Sequence, residues 1–189
     1  MAERTPARTI NKDREESMSV LVTYNQIRNA VGILTEMMEE TYRKQNPNIT
    51  EHDIINRLRK MGRNIGKDFA RYWDPGQKGV DAMLLAIYKA VFGTSVVVEE
   101  PYDRKSNPAY RDTKVYDVID QKCPLCKEKR ATNIAGCELS MGVVDGIFEA
   151  MGAKYPNLQP LKADQVLESK TRGDAQCKHR YVLARPDHK

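Results

Sequence analysis

Apolar residues recur at helical spacing through the first half of the chain. Val20, Tyr24, Ile27, Val31, Leu34, Met38 and Tyr42 step by three or four residues. This predicts one helix of about seven turns with a continuous apolar stripe, stopped by Asn46-Pro47-Asn48. Thr50 opens a second helix, and Asp53 completes a capping-box start. Ile54, Leu58, Met61, Ile65, Phe69 and Trp73 are its expected buried face, and Asp74-Pro75-Gly76 its end. A third helix is expected over 80–92, with Gly93 as its cap.

The second half changes period. Ser95-Val96-Val97-Val98-Glu99 and Val115-Tyr116-Asp117-Val118-Ile119 read as strands, joined by a polar connection over 103–112. Residues 137–151 return to helix, with Gly152 at the end. Strands are expected at about 158–162, 165–170 and 177–184, with Arg172-Gly173-Asp174-Ala175 as the turn before the last. The order α-α-α-β-β-α-β-β-β predicts an α+β fold, an antiparallel sheet packed on helices.

Length and composition narrow the class. The chain has 189 residues, 40% of them hydrophobic, enough for a core without disulfides. One domain is expected over 17–189, behind a charged, flexible arm at 1–16 that has no apolar period. No apolar run approaches the ~20 residues of a membrane span, and the N-terminus lacks a signal-peptide stretch. The expected location is cytoplasmic, with thiols kept reduced. Lys and Arg total 31 against 26 Asp and Glu, a net charge of +5 that permits an acidic partner without demanding one. Aromatic residues make up 7%, too few for a base-stacking platform, so no nucleic-acid partner is expected. The sequence contains no P-loop, no Gly-x-Ser-x-Gly and no His-Glu-x-x-His, and the chain reads as a non-enzyme.

The four cysteines carry the sharpest chemistry. Cys123-Pro124-Leu125-Cys126 can present two thiolates to one ion from a tight turn. Cys137 follows at a helix start, and Cys177 lies on the last strand with His179 on the same face. A closed zinc site of Cys123, Cys126, Cys137 and Cys177 is expected, with His179 as the alternate fourth ligand. Such a site leaves no position for water and is structural. A redox pair or unligated thiols are the competing readings.

Two stripes stand out on the second helix. Gly62, Gly66 and Ala70 recur every four residues, and Gly142 and Gly146 repeat the spacing later. Interior helical glycines cost ~1 kcal/mol each against Ala, so a backbone is expected to approach closely there. That approach belongs either to the core of one subunit or to a dimer interface. Arg59, Arg63, Lys67 and Arg71 form a cationic ridge that suits an anionic membrane surface or a protein partner, or else a solvated face.

Arg57-Leu58-Arg59-Lys60-Met61-Gly62-Arg63-Asn64-Ile65-Gly66 resembles the Met-Gly-x-Asn-Ile-Gly helix of the Bet-type core subunits of TRAPP, a vesicle-tethering complex. Cys137 to Gly146 resembles a later helix of that family and equally the related 4-vinyl-reductase-type ligand-binding domain. The segment Glu168 to Val182 is similar to the last hairpin of the latter. The resemblance implies a TRAPP-like α/β plait. It also implies a dimer, homo- or heteromeric, built on helices of the first half, with Tyr24, Val31, Gly62 and Gly66 at its interface. It implies a trafficking scaffold, peripheral on membranes, that meets related subunits or a small GTPase. The alternative it implies is a small-molecule sensor with a structural zinc, for which Glu168, Cys137 and Cys177 are the matching positions. The tethering family carries an acyl chain on a cysteine just after the second helix. The stretch Asp74 to Met83 contains none.

Overall fold

The computed structural model describes residues 36–76, 79–101, 107–110, 113–126, 129, 132–155 and 158–183. The arm at 1–16, most of the first apolar stripe, and Tyr24 and Val31 lie outside the described residues. Helical residues 36–45 form α1. They are followed by α2 (Glu51–Phe69), α3 (Val80–Val91), β1 (Val97–Glu99), β2 (Val115–Asp120), α4 (Cys137–Lys154), β3 (Leu161–Glu168) and β4 (Cys177–Leu183).

The strands pair antiparallel in the order β1-β2-β4-β3, giving the expected α+β class. The two short runs expected at 158–162 and 165–170 join into the single strand β3. Register shifts between Ala163 and Gln165 and between Val166 and Glu168 absorb the irregularity without ending the strand.

Local chemistry explains where α2 begins. The Asp53 backbone N–H donates to Thr50 Oγ1 at 3.2 Å, and the Thr50 N–H donates to the Asp53 carboxylate at 2.9 Å. Together they satisfy orphan donors of the first turn. Past the end of α3, Gly93 takes φ +66°, a left-handed backbone that side chains resist.

Helix α4 is the middle layer. Its apolar residues Met141, Val144, Ile147 and Phe148 join the main core with Tyr88 of α3 and Tyr116, Val118 and Tyr181 of the sheet. Its small residues face α2. A β-carbon added at Gly62 would lie 2.1 Å from the Leu139 carbonyl oxygen, and one at Gly66 2.2 Å from that of Val143. Gly142 and Gly146 meet the Arg59 and Arg63 carbonyl oxygens as closely, at 2.2 and 2.1 Å. Contacts advance together along both helices, so α2 and α4 run parallel. The approach suits Cα–H···O contacts.

This packing also corrects the buried face expected for α2. Ile54, Leu58, Gly62 and Gly66 are buried, whereas Met61 and Ile65 are exposed. The glycines allow the closest approach, so the helix turns them inward rather than its larger residues.

Candidate metal centre

Three elements bring the cysteines together. The turn after β2 carries Cys123 and Cys126, α4 begins with Cys137, and β4 begins with Cys177. Gly136 makes the junction possible, since a β-carbon there would meet the Leu125 carbonyl oxygen at 2.9 Å. All four thiols are buried and none forms a disulfide.

The potential ligand atoms fall into two overlapping triads. Cys126, Cys137 and Cys177 offer sulfurs within 4.8 Å of one another, and so do Cys123, Cys177 and a ring nitrogen of His179. Cys177 belongs to both. Glu168, the acidic position suggested by the sensor resemblance, is not in either group.

The thiols do not share protons evenly. Hydrogen bonds from Cys123, Cys126 and Cys137 hold Cys177 far below the usual thiol range. Hydrogen bonding with Cys123 brings Cys126 down to about 6. Cys123 is pushed up, chiefly by its contact with Cys126, and Cys137 is pushed up by burial. A buried group of this kind cannot become four thiolates by itself, because like charges in a low dielectric repel. A cation among the sulfurs removes that obstacle. The donor set, two triads that share Cys177, is soft and mostly sulfur, which fits a thiophilic ion such as zinc.

Around the sulfurs lies a polar shell that the motif reading missed. The Tyr88 hydroxyl is 2.7 Å from His179 Nδ1 and 2.8 Å from the Tyr181 hydroxyl. Ser169 Oγ is 4.0 Å from Cys137 Sγ. Tyr181 was recoverable from strand alternation, since it continues the face of Cys177 and His179. Tyr88, inside a helix far along the chain, gives no local signal.

The cationic ridge lies beside α4. Arg59 Nε donates to Glu138 at 2.7 Å, and its Nη1 donates to the carbonyls of Ala163 and Asp164 at 3.1 and 2.8 Å. Arg63 pairs with Asp145 and Lys67 with Glu149, each at 2.7 Å. Arg71 pairs with Asp68 on its own helix at 3.3 Å. The basic edge of α2 thus matches an acidic edge of α4 alongside the glycine contacts. Arg59 is turned inward and is no surface group, its side chain only 15% exposed. Gly62 and Gly66 are likewise covered by α4 of the same chain. An open cleft of about 510 Å³ remains beside the ridge, lined by Asn56, Lys60, Arg63, Asn64, Lys67 and neighbours.

No family model matches the chain, and no curated protein matches it. Among solved structures it is similar to a trafficking protein particle complex subunit 3 from Naegleria fowleri, covalently bound to palmitic acid. The identity is 16% and the TM-score 0.64, over 87% of this chain and 96% of that one. The phenol-responsive sensory domain of the transcription activator PoxR, with phenol, matches at 11% identity and TM-score 0.47, over 81% of this chain and 74% of that one. The chain therefore has the fold of a TRAPP subunit, as its helix motifs suggested. Among the described residues, no helix is long and apolar enough to cross a membrane.

Proposed function

We propose that the protein is a non-enzymatic scaffold subunit of the TRAPP type, a dimer with itself or a related subunit, working in the cytoplasm at membrane surfaces. The observation that carries this reading is the shared fold over 87% of the chain. Tyr24 and Val31 remain the candidate dimer contacts, while Gly62 and Gly66 act by holding α2 against α4. The cleft beside α2, with Lys60, Arg63 and Lys67, is the face offered to anionic phospholipid or an acidic partner such as a small GTPase.

A structural zinc held by Cys123, Cys126, Cys137 and Cys177 completes the proposal. When bound it supplies no reaction chemistry, because four thiolates leave no coordination position for water. Its effect is to tie the β2–α4 loop, α4 and β4 together. The similar Naegleria fowleri subunit is covalently bound to palmitic acid; in this chain all four cysteines belong to the two triads and are assigned to the metal.

Native mass spectrometry on protein purified without added zinc tests both parts. The expected species is a dimer with one zinc per chain. A monomer overturns the dimer, and a metal-free chain overturns the zinc site. Pelleting with vesicles of anionic phospholipid at low salt tests the membrane part, which fails if no protein sediments.

A further inference from the structure

One buried atom beside the sulfurs has no partner. His179 is fully buried, and its Nε2 makes no hydrogen bond. Its Nδ1 is held by the Tyr88 hydroxyl, so Nε2 is the nitrogen left to serve Cys123 and Cys177. It can do so in two ways. A bare Nε2 binds the metal, or a protonated Nε2 donates to a thiolate already bound to it.

The hydroxyl hydrogens decide between them. If Nε2 ligates the metal, Nδ1 carries the proton and donates to Tyr88. The Tyr88 and Tyr181 hydroxyls must then place two hydrogens with one acceptor between them. Both tyrosines are buried, and the Tyr181 hydroxyl has no other partner among the described residues. One donor is left unsatisfied, which costs about 1–3 kcal/mol. If Nε2 carries the proton instead, every hydrogen is used. Tyr181 donates to Tyr88, Tyr88 donates to Nδ1, and Nε2–H points to sulfur. The same arrangement suits the charge, because four thiolates around a divalent ion remain net negative in an apolar core.

Resting on the zinc site proposed above, we infer that His179 is not the alternate ligand but an outer-sphere positioning residue. It donates Nε2–H to the thiolates of Cys177 or Cys123, and the Tyr181–Tyr88 pair sets its tautomer. The metal is held by the four cysteines alone.

Cobalt(II) substitution in the full chain tests this, read by its sulfur-to-metal charge-transfer and ligand-field bands and by zinc competition. The expected spectrum is that of four thiolates, unchanged in band position in His179→Ala. Zinc affinity in that variant falls about 10–100-fold, as for other outer-shell partners. His179→Gln keeps an N–H donor and restores most of the affinity, whereas Tyr88→Phe loses part of it. These milder variants carry the test if the alanine variant does not fold. A three-sulfur, one-nitrogen spectrum that changes in His179→Ala overturns the inference, and so does unaltered affinity. Wild-type protein that takes up no cobalt or zinc overturns the metal reading itself, before any variant is compared.

Discussion

Gly142 lies directly against the backbone of Arg59. A β-carbon there would sit 2.2 Å from the Arg59 carbonyl oxygen, and the obstacle is main chain rather than a movable side-chain tip. Gly142→Ala should therefore push α2 and α4 apart and cost about 3 kcal/mol by overpacking. Gly62→Ala should do the same. Gly79→Ala, with nothing within 4 Å of the new carbon, is the control. Thermal or urea unfolding of the three variants checks the order.

Arg59 has a second role at the same crossing. Truncation to Ala leaves Glu138, 6% exposed, without its cation and strips the Ala163 and Asp164 carbonyls of a donor. The expected loss is about 3–5 kcal/mol. An Arg59→Met, Glu138→Leu double variant should recover much of it, since no buried charge is then stranded. A double-mutant cycle by denaturant unfolding measures the coupling.

Cys126→Ser or Cys177→Ser should release the proposed metal and lower stability by about 4 kcal/mol or more, roughly 8–16 °C in Tm. A chelator should mimic the substitution in wild type and do nothing further to either variant. Metal affinity should fall as pH is lowered, because protons compete for the sulfurs. Metal analysis and differential scanning calorimetry together check these outcomes.

Asp74 links the end of α2 to the end of α4. The Lys154 ammonium, the Gly76 N–H and the Tyr155 hydroxyl hold its carboxyl down at about 2, from an ordinary 3.8. A depressed acid stabilises the fold above its unfolded pKa, and that contribution is lost as pH falls through the folded value. The window is thus from about 4 down to about 2. A carboxyl-carbon NMR titration should find the low midpoint, and it should move back up in Lys154→Ala.

Much of the architecture was legible because it depends on local spacing. The capping box at Thr50, the cap at Gly93 and the β-branched runs each act within a few residues. The cysteine turn was readable as two thiols brought side by side, while the spacing alone left metal, redox and unligated readings open. What escaped was identity across the fold. Glycines four apart mark a face that needs a close neighbour, but the spacing does not say whose backbone arrives. The basic ridge likewise revealed nothing of its acidic counterpart some 79 to 82 residues later. Met61 and Ile65 fitted an apolar period yet point outward, because the period permits two neighbouring faces and packing chose the one with glycine.

By itself the sequence determined the helical and extended segments, their class of fold and the set of thiols able to share an ion. These follow from propensity, period and ligand chemistry, all short-range properties. Only the tertiary structure decided that α4 covers the glycines of α2, that Arg59 faces inward, and that Tyr88 stands behind His179. Those facts arise where segments distant in the chain compete to bury the same surface and satisfy the same polar atoms. The outcome of that competition is a property of the whole packed molecule.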